Sequence, residues 1–210
     1  MFDLQRLQER TIFRIADQLY KIIAINIMTL VVALPIVTIG PAFIAGYERI
    51  RFYLDDRNEA PLVRSFLQSL KTNFLKRLLL GLVVLGVGGL LGWSWYYYYL
   101  QINNGLMFLI GLFIVSSFIF IFLMIIIQLP FVALYFPQQT IVNQLKLGLY
   151  FGLKRKLRTV TLLLLAIPSL LLIEYAMPVF AFIGVGIPIA ISIKIMDEEY
   201  KKLLNRTEEE

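Results

Sequence analysis

The chain has 210 residues, 59% of them hydrophobic and 16% charged, with a net charge of +6 and a mean hydropathy of +0.77. A water-soluble domain of this length cannot hide so much apolar surface, which places the chain among integral membrane proteins. It has no cysteine and no histidine, which excludes disulfides, thiolate nucleophiles, imidazole bases and the usual zinc ligands, and no cofactor is expected.

Residues 1–21 mix Arg6, Arg10, Arg14 and Lys21 with Asp3, Glu9 and Asp17, and lack the short apolar core of a secretory signal. They read as an amphipathic interfacial helix, with Phe2, Leu4, Leu7, Ile12, Phe13, Ile15 and Leu19 available to lipid. An ordinary solvated leader helix is the alternative. Five membrane helices are expected after it, at 22–39, 78–100, 106–130, 159–175 and 178–195, since about 20 apolar residues cross about 30 Å of hydrocarbon. These runs are apolar on every face, which excludes the alternating pattern of a β-barrel.

The first run ends in "LPIVTIGPAFIAGY", Leu34 to Tyr47, which is punctuated by Pro35, Thr38, Gly40 and Pro41. Pro35 disfavours helix at Leu34, Gly40 tolerates unusual dihedrals, and Pro41 suits the start of a new helix. Thr38 can supply a hydroxyl to the backbone groups left unpaired. Ala42 and Gly46, with Ala45 beside them, form a small-residue face for close packing.

Two topologies follow. Basic residues cluster before residue 22, in the connection 41–77, in the connection 138–158 and in the tail 196–210, whereas Gln101–Gly105 has none. The positive-inside bias makes both long connections and the tail cytoplasmic. If the chain turns back at Pro35–Pro41 as a re-entrant hairpin, the amino terminus is cytoplasmic as well. If residues 22–39 cross completely, an interfacial helix follows and the amino terminus is outside.

The aromatic run Trp93, Trp95 and Tyr96 to Tyr99 anchors the end of the second long helix at the headgroup level, with a sugar-binding box as the alternative. Pro130, Pro137 and Pro168 mark kinks or ends. "PLVRSFLQSLKTNFLKR" and "QTIVNQLKLGLYFGLKRKLR" are both amphipathic, end in basic residues and feed an apolar run. They are either a weak internal repeat or simply what cytoplasmic helices look like on entering a membrane. A parallel repeat would favour the complete crossing over the hairpin.

Chemistry-bearing residues are sparse. Between Glu59 and Glu174 there are nine basic residues and no carboxylate, which excludes paired-carboxylate catalysis there. Glu174 is either an intramembrane ion site or a carboxylate meeting water near the outer face. Asn26, Ser116, Ser117 and Gln128 are the polar residues at depth and hydrogen-bond across helices on one reading; on the other, Asn26, Thr38 and Gln128 line a solute path. Lys154, Arg155, Lys156 and Arg158 lie in "GLKRKLR" with no acid nearby, and anionic lipid headgroups at the cytoplasmic face explain them without nucleic acid. No phosphate loop, nucleophile elbow or metalloprotease motif is present.

"NIMTLVVALPIVTIGPAFIAGY" resembles the signature of the YesL-like family of bacterial membrane proteins through Asn26, Pro35, Thr38, Gly40, Pro41, Ala42, Ala45 and Tyr47. "FLQSLKTNF", Phe66 to Phe74, is similar to the segment that follows in that family, with Leu70 where an aromatic is usual. The resemblance implies a multi-pass protein of the bacterial plasma membrane, of uncharacterised role, associated with carbohydrate uptake. It brings no catalytic or binding residue.

The expected fold is therefore an all-α polytopic membrane bundle forming one domain over residues 1–210. It has five long apolar helices, a re-entrant or interfacial helix after Pro41, and amphipathic cytoplasmic helices. Two functions remain open: a non-catalytic accessory or scaffold protein packing against a partner such as a sugar transporter, or a small-solute transporter or channel built on the broken helix at Pro35–Pro41. An intramembrane enzyme is the most remote reading, because only isolated carboxylates, hydroxyls and amines are available.

Overall fold

The computed structural model describes residues 2–55 and 61–208, and among these it is all-α, with no strand. The helices are α1 (Phe2–Ala33), α2 (Ile39–Leu54), α3 (Leu62–Lys71), α4 (Phe74–Leu100), α5 (Leu106–Tyr135), α6 (Ile141–Lys154), α7 (Lys156–Tyr175), the single turn α8 (Met177–Val179) and α9 (Gly186–Glu208). Short 3-10 turns at Ile36–Thr38 and Ile102–Asn104, and a π-helical turn at Phe180–Gly184, join some of them.

The chain forms two compact units: Met1–Phe74 with Leu165–Glu210, and Leu75–Leu164. Among the described residues, four helices are long and apolar enough to cross a membrane, at Ala16–Ala33, Phe74–Leu100, Leu106–Tyr135 and Lys156–Tyr175. The fifth apolar stretch, expected as a helix over 178–195, is divided. It passes through the π-helical turn, and α9 starts only at Gly186.

In the first unit, α1 runs unbroken from Phe2, joining the expected leader to the expected membrane helix, because no helix breaker separates them. It stops at Ala33 rather than Ile39, since Pro35 cannot donate an amide and holds Leu34 out of helical geometry. The Thr38 hydroxyl donates to the Val32 carbonyl and, at 2.7 Å, to the Pro35 carbonyl, so acceptors freed by the break are satisfied. Pro41 falls in the first turn of α2, where no intrahelical donor is required.

α2 then returns antiparallel along α1: Gly46 lies against Thr29, and the Lys21 ammonium sits 5.3 Å from the centre of the Tyr53 ring. The chain therefore turns back between α1 and α2. Its tip is bare and apolar, with Leu34 79% and Ile36 67% exposed. Ala42, Ala45 and Gly46 are buried in the seam. The amphipathic leader rests on Phe2, Leu4, Leu7, Ile12 and Ile15, whose side chains lie outside the described residues; Phe13 and Leu19 are exposed.

α3 buries Ser65, Phe66 and Ser69. Ser69 donates to Glu48 at 2.6 Å and Ser65 lies 3.3 Å from the Tyr53 hydroxyl, while Val63, Arg64, Leu67, Gln68 and Lys71 are exposed.

In the second unit, Gly105 at φ 134° makes the turn between α4 and α5, a conformation closed to other residues. α6 packs back on the second half of α5. A Cβ on Gly152 would stand 3.2 Å from the Met124 carbonyl oxygen, and one on Gly148 would stand 3.3 Å from Ile125. Buried residues of α5 begin at Met124, and none of Leu106–Leu123 is buried. α5 continues through Pro130 to Tyr135, past the expected end at residue 130.

The two return helices share a plan. Pro35-Ile-Val-Thr38 precedes α2, and Pro137-Gln-Gln-Thr140 precedes α6; in each case the threonine is the N-cap. Eight residues after each threonine comes the glycine that packs on the preceding long helix, Gly46 or Gly148.

Candidate functional site

Asn26 is the most committed polar group in the first unit. It is 1% exposed, and its Oδ1 accepts the backbone amides of Val185 at 2.9 Å and Gly186 at 2.7 Å, while Nδ2 donates to the Phe180 carbonyl at 3.5 Å. The first amides of a helix have no intrahelical acceptor. A side chain on α1 therefore caps α9, and the cap explains why α9 begins where it does. Gly186 is needed for the approach, since a Cβ there would stand 2.9 Å from Ile22 Cγ2.

Thr38, Pro35, Gly40 and Pro41 meet in the hairpin turn and its first helical residues, but Thr38 bonds back to that turn rather than towards Asn26. Tyr47 and Ser192 join α2 to α9 through their hydroxyls at 3.3 Å. The other end of this unit is ionic. Arg51 Nε lies 2.8 Å from Asp197, and Lys201 contacts both Asp197 and, at 3.3 Å, Asp55. Chiefly through its hydrogen bond to Asp197, opposed by partial burial and aided by the charges of Asp197 and Asp55, Lys201 is held above the ordinary lysine pKa. The Asp197–Lys201 pair is the one its spacing predicts. The Glu198–Lys202 pair lies outside the described side chains.

Gln128 belongs to the second unit, where it is fully buried and donates to the Thr159 hydroxyl at 2.8 Å; Thr159 in turn bonds the Arg155 carbonyl. Trp95 donates to Ser116 at 3.1 Å and stacks on Tyr99. The aromatic run lies mostly exposed around the end of α4. Glu174 is exposed on α7. Lys154, Lys156 and Arg158 are exposed and Arg155 half-buried where α6 meets α7.

The sequence-predicted polar residues thus form no single cluster: Asn26 and Thr38 serve separate backbone breaks of one unit, and Gln128 serves the other. The partners of Asn26 were not legible in the sequence, because backbone amides about 160 residues away carry no residue signature. Only the glycine pair around Val185 hinted at a helix start there.

No curated protein and no solved structure matches this chain. Residues 22–95 match the profile of a family described as "Protein of unknown function, DUF624", a stretch that takes in Asn26, the Pro35–Pro41 break, α3 and most of α4.

Proposed function

We propose that this is a multi-pass bacterial membrane protein of the YesL-like kind that acts as a non-catalytic accessory or scaffold subunit in carbohydrate uptake. On this reading the carboxyl terminus and the amino terminus are both cytoplasmic. One observation carries the accessory reading over a transport reading: the polar side chains at depth are engaged within the protein. Asn26 holds the start of α9, Thr38 holds its own turn, and Gln128 holds Thr159. A solute path requires such groups to face a cavity. Meanwhile α4 and the first part of α5 leave apolar side chains bare for lipid or a partner helix.

The test is copurification from native membranes after crosslinking. A carbohydrate permease subunit captured with the wild-type chain supports the proposal. A monodisperse monomer with no crosslinked partner, combined with solute uptake by proteoliposomes containing this chain alone, would replace it with the transporter reading.

A further inference from the structure

We infer that residues 22–54 and 124–156 are two copies of one conformational device, a helical hairpin whose long helix holds the first turn of a third helix through a buried carboxamide. The markers of the first copy recur in the second at one constant interval, the one that separates Pro35 from Pro137. The long helices end at Ala33 and Tyr135, the return helices start at Ile39 and Ile141, and the threonines before them are Thr38 and Thr140. Gly46 and Gly148, which press on the long helices, keep the same interval. So do Asn26 and Gln128, the buried carboxamides of those helices. α6 is thereby the counterpart of α2, whereas the amphipathic pattern alone pairs it with α3. The inference depends on neither the accessory role nor its transport alternative.

The two carboxamides serve one purpose through different groups, since a carboxamide both donates and accepts. Asn26 accepts the amides of Val185 and Gly186, where α9 starts. Gln128 donates at 2.8 Å to the Thr159 hydroxyl in the first turn of α7, and that hydroxyl donates on to the Arg155 carbonyl at 3.2 Å. The second tie accounts for a break that the local sequence does not explain. Between α6 and α7 the helix is interrupted at Arg155 alone, at φ −118° and ψ 42°, yet residues 153–158 contain neither proline nor glycine. Leucine, lysine and arginine all favour helix, and a kink among them needs an outside cause. Gln128 supplies it by gripping Thr159 from α5. Each carboxamide is therefore a joint: released from it, the first turn of the third helix opens while the hairpin stays closed.

The experiment measures amide hydrogen exchange, residue by residue, on the full chain in detergent. Gln128→Met keeps the length of the side chain without its donors, and Thr159→Val removes the hydroxyl from the other side of the same tie. In either variant the amides of Thr159 and Val160 are expected to exchange about tenfold faster, the equivalent of one buried hydrogen bond. The amide of Gly148, in the hairpin, and those of Val185 and Gly186, in the other copy, should keep their wild-type rates. Asn26→Leu should give the converse, with faster exchange at Val185 and Gly186 and wild-type rates at Thr159 and Val160. Ser117→Ala, which removes a polar group of α5 outside the repeat, should change none of these. Unchanged rates at Thr159 and Val160, or a rise at Gly148 as large as theirs, overturns the joint. Failure of both Gln128→Met and Thr159→Val to fold overturns it too, because the tie would then hold the whole unit rather than one turn. A loss that spreads from Asn26→Leu to Thr159 overturns the reading of two separate copies.

Discussion

Gly46 and Thr29 touch so closely that a Cβ on the glycine would stand 2.7 Å from Thr29 Oγ1, a buried hydroxyl with no hydrogen-bond partner among the described residues. The α1–α2 hairpin is thus closed on a contact that leaves no room for one more methyl group. Gly46→Ala is expected to cost about 1–3 kcal/mol through overpacking. Thr29→Ala removes both the obstruction and an unsatisfied polar atom, so the double variant should recover most of that loss. Thermal unfolding of the four proteins in detergent checks this; an equal loss in the single and double variants would refute the contact.

Asn26 accepts two buried backbone amides, those of Val185 and Gly186. Asn26→Ala should cost about 2–4 kcal/mol, since orphaning a buried donor removes more than the bond itself. Hydrogen exchange offers a local reading: the amides of Val185 and Gly186 should lose protection in the variant. Unchanged exchange there would show that the cap is not what starts α9.

The ionic end of the first unit predicts a dependence on alkaline pH. Lys201 has a raised pKa in the folded chain, so its contribution is complete below the ordinary lysine value of about 10.4 and is lost as pH rises through the higher folded value. The melting temperature of wild type, compared with Lys201→Gln, should begin to converge on the variant's only once pH exceeds the ordinary lysine value of about 10.4. A constant difference across that range would contradict the assignment. Because Lys201 is partly exposed, the effect should also shrink in high salt.

Topology can be read with single cysteines, because the natural chain has none. Ser69 is fully buried and bonded to Glu48, so its exposed neighbour Gln68 is the position to label on α3. With the hairpin oriented as proposed, Ala16→Cys and Gln68→Cys should label from the cytoplasmic side and Asn103→Cys from the outside. Outside labelling at Ala16 would reverse the assignment of the amino terminus.

Much of the fold was legible because it rests on local chemistry. Pro35, Gly40 and Pro41 mark a break that any helix must respect, and Ala42 and Gly46 announce close packing before the partner is known. Counting cations favoured the return of the chain, and the hairpin agrees with it. What was hidden depended on distant groups. The last apolar stretch looked long enough for one helix, yet Asn26 fixes a start at Gly186, and hydropathy does not register a side chain arriving from α1. Similarly, Arg51 and Asp197 read as two separate surface charges until α2 and α9 lie side by side. Asn26, Thr38 and Gln128 stand out in the sequence as polar residues within apolar runs, but whether each one faces a cavity or a backbone group is a property of the assembled helices alone.

The spacing shared by the two return helices has a consequence for how this chain can vary. Each threonine stands at the N-cap position of its helix, and the glycine eight residues later points at the preceding helix. A residue inserted or deleted between Thr38 and Gly46, or between Thr140 and Gly148, would swing the glycine by about 100° and bring a bulkier neighbour into the seam. These two octets should therefore be the most length-intolerant stretches of the chain, whereas the bare lengths of α4 and α5 can exchange one apolar residue for another with little effect.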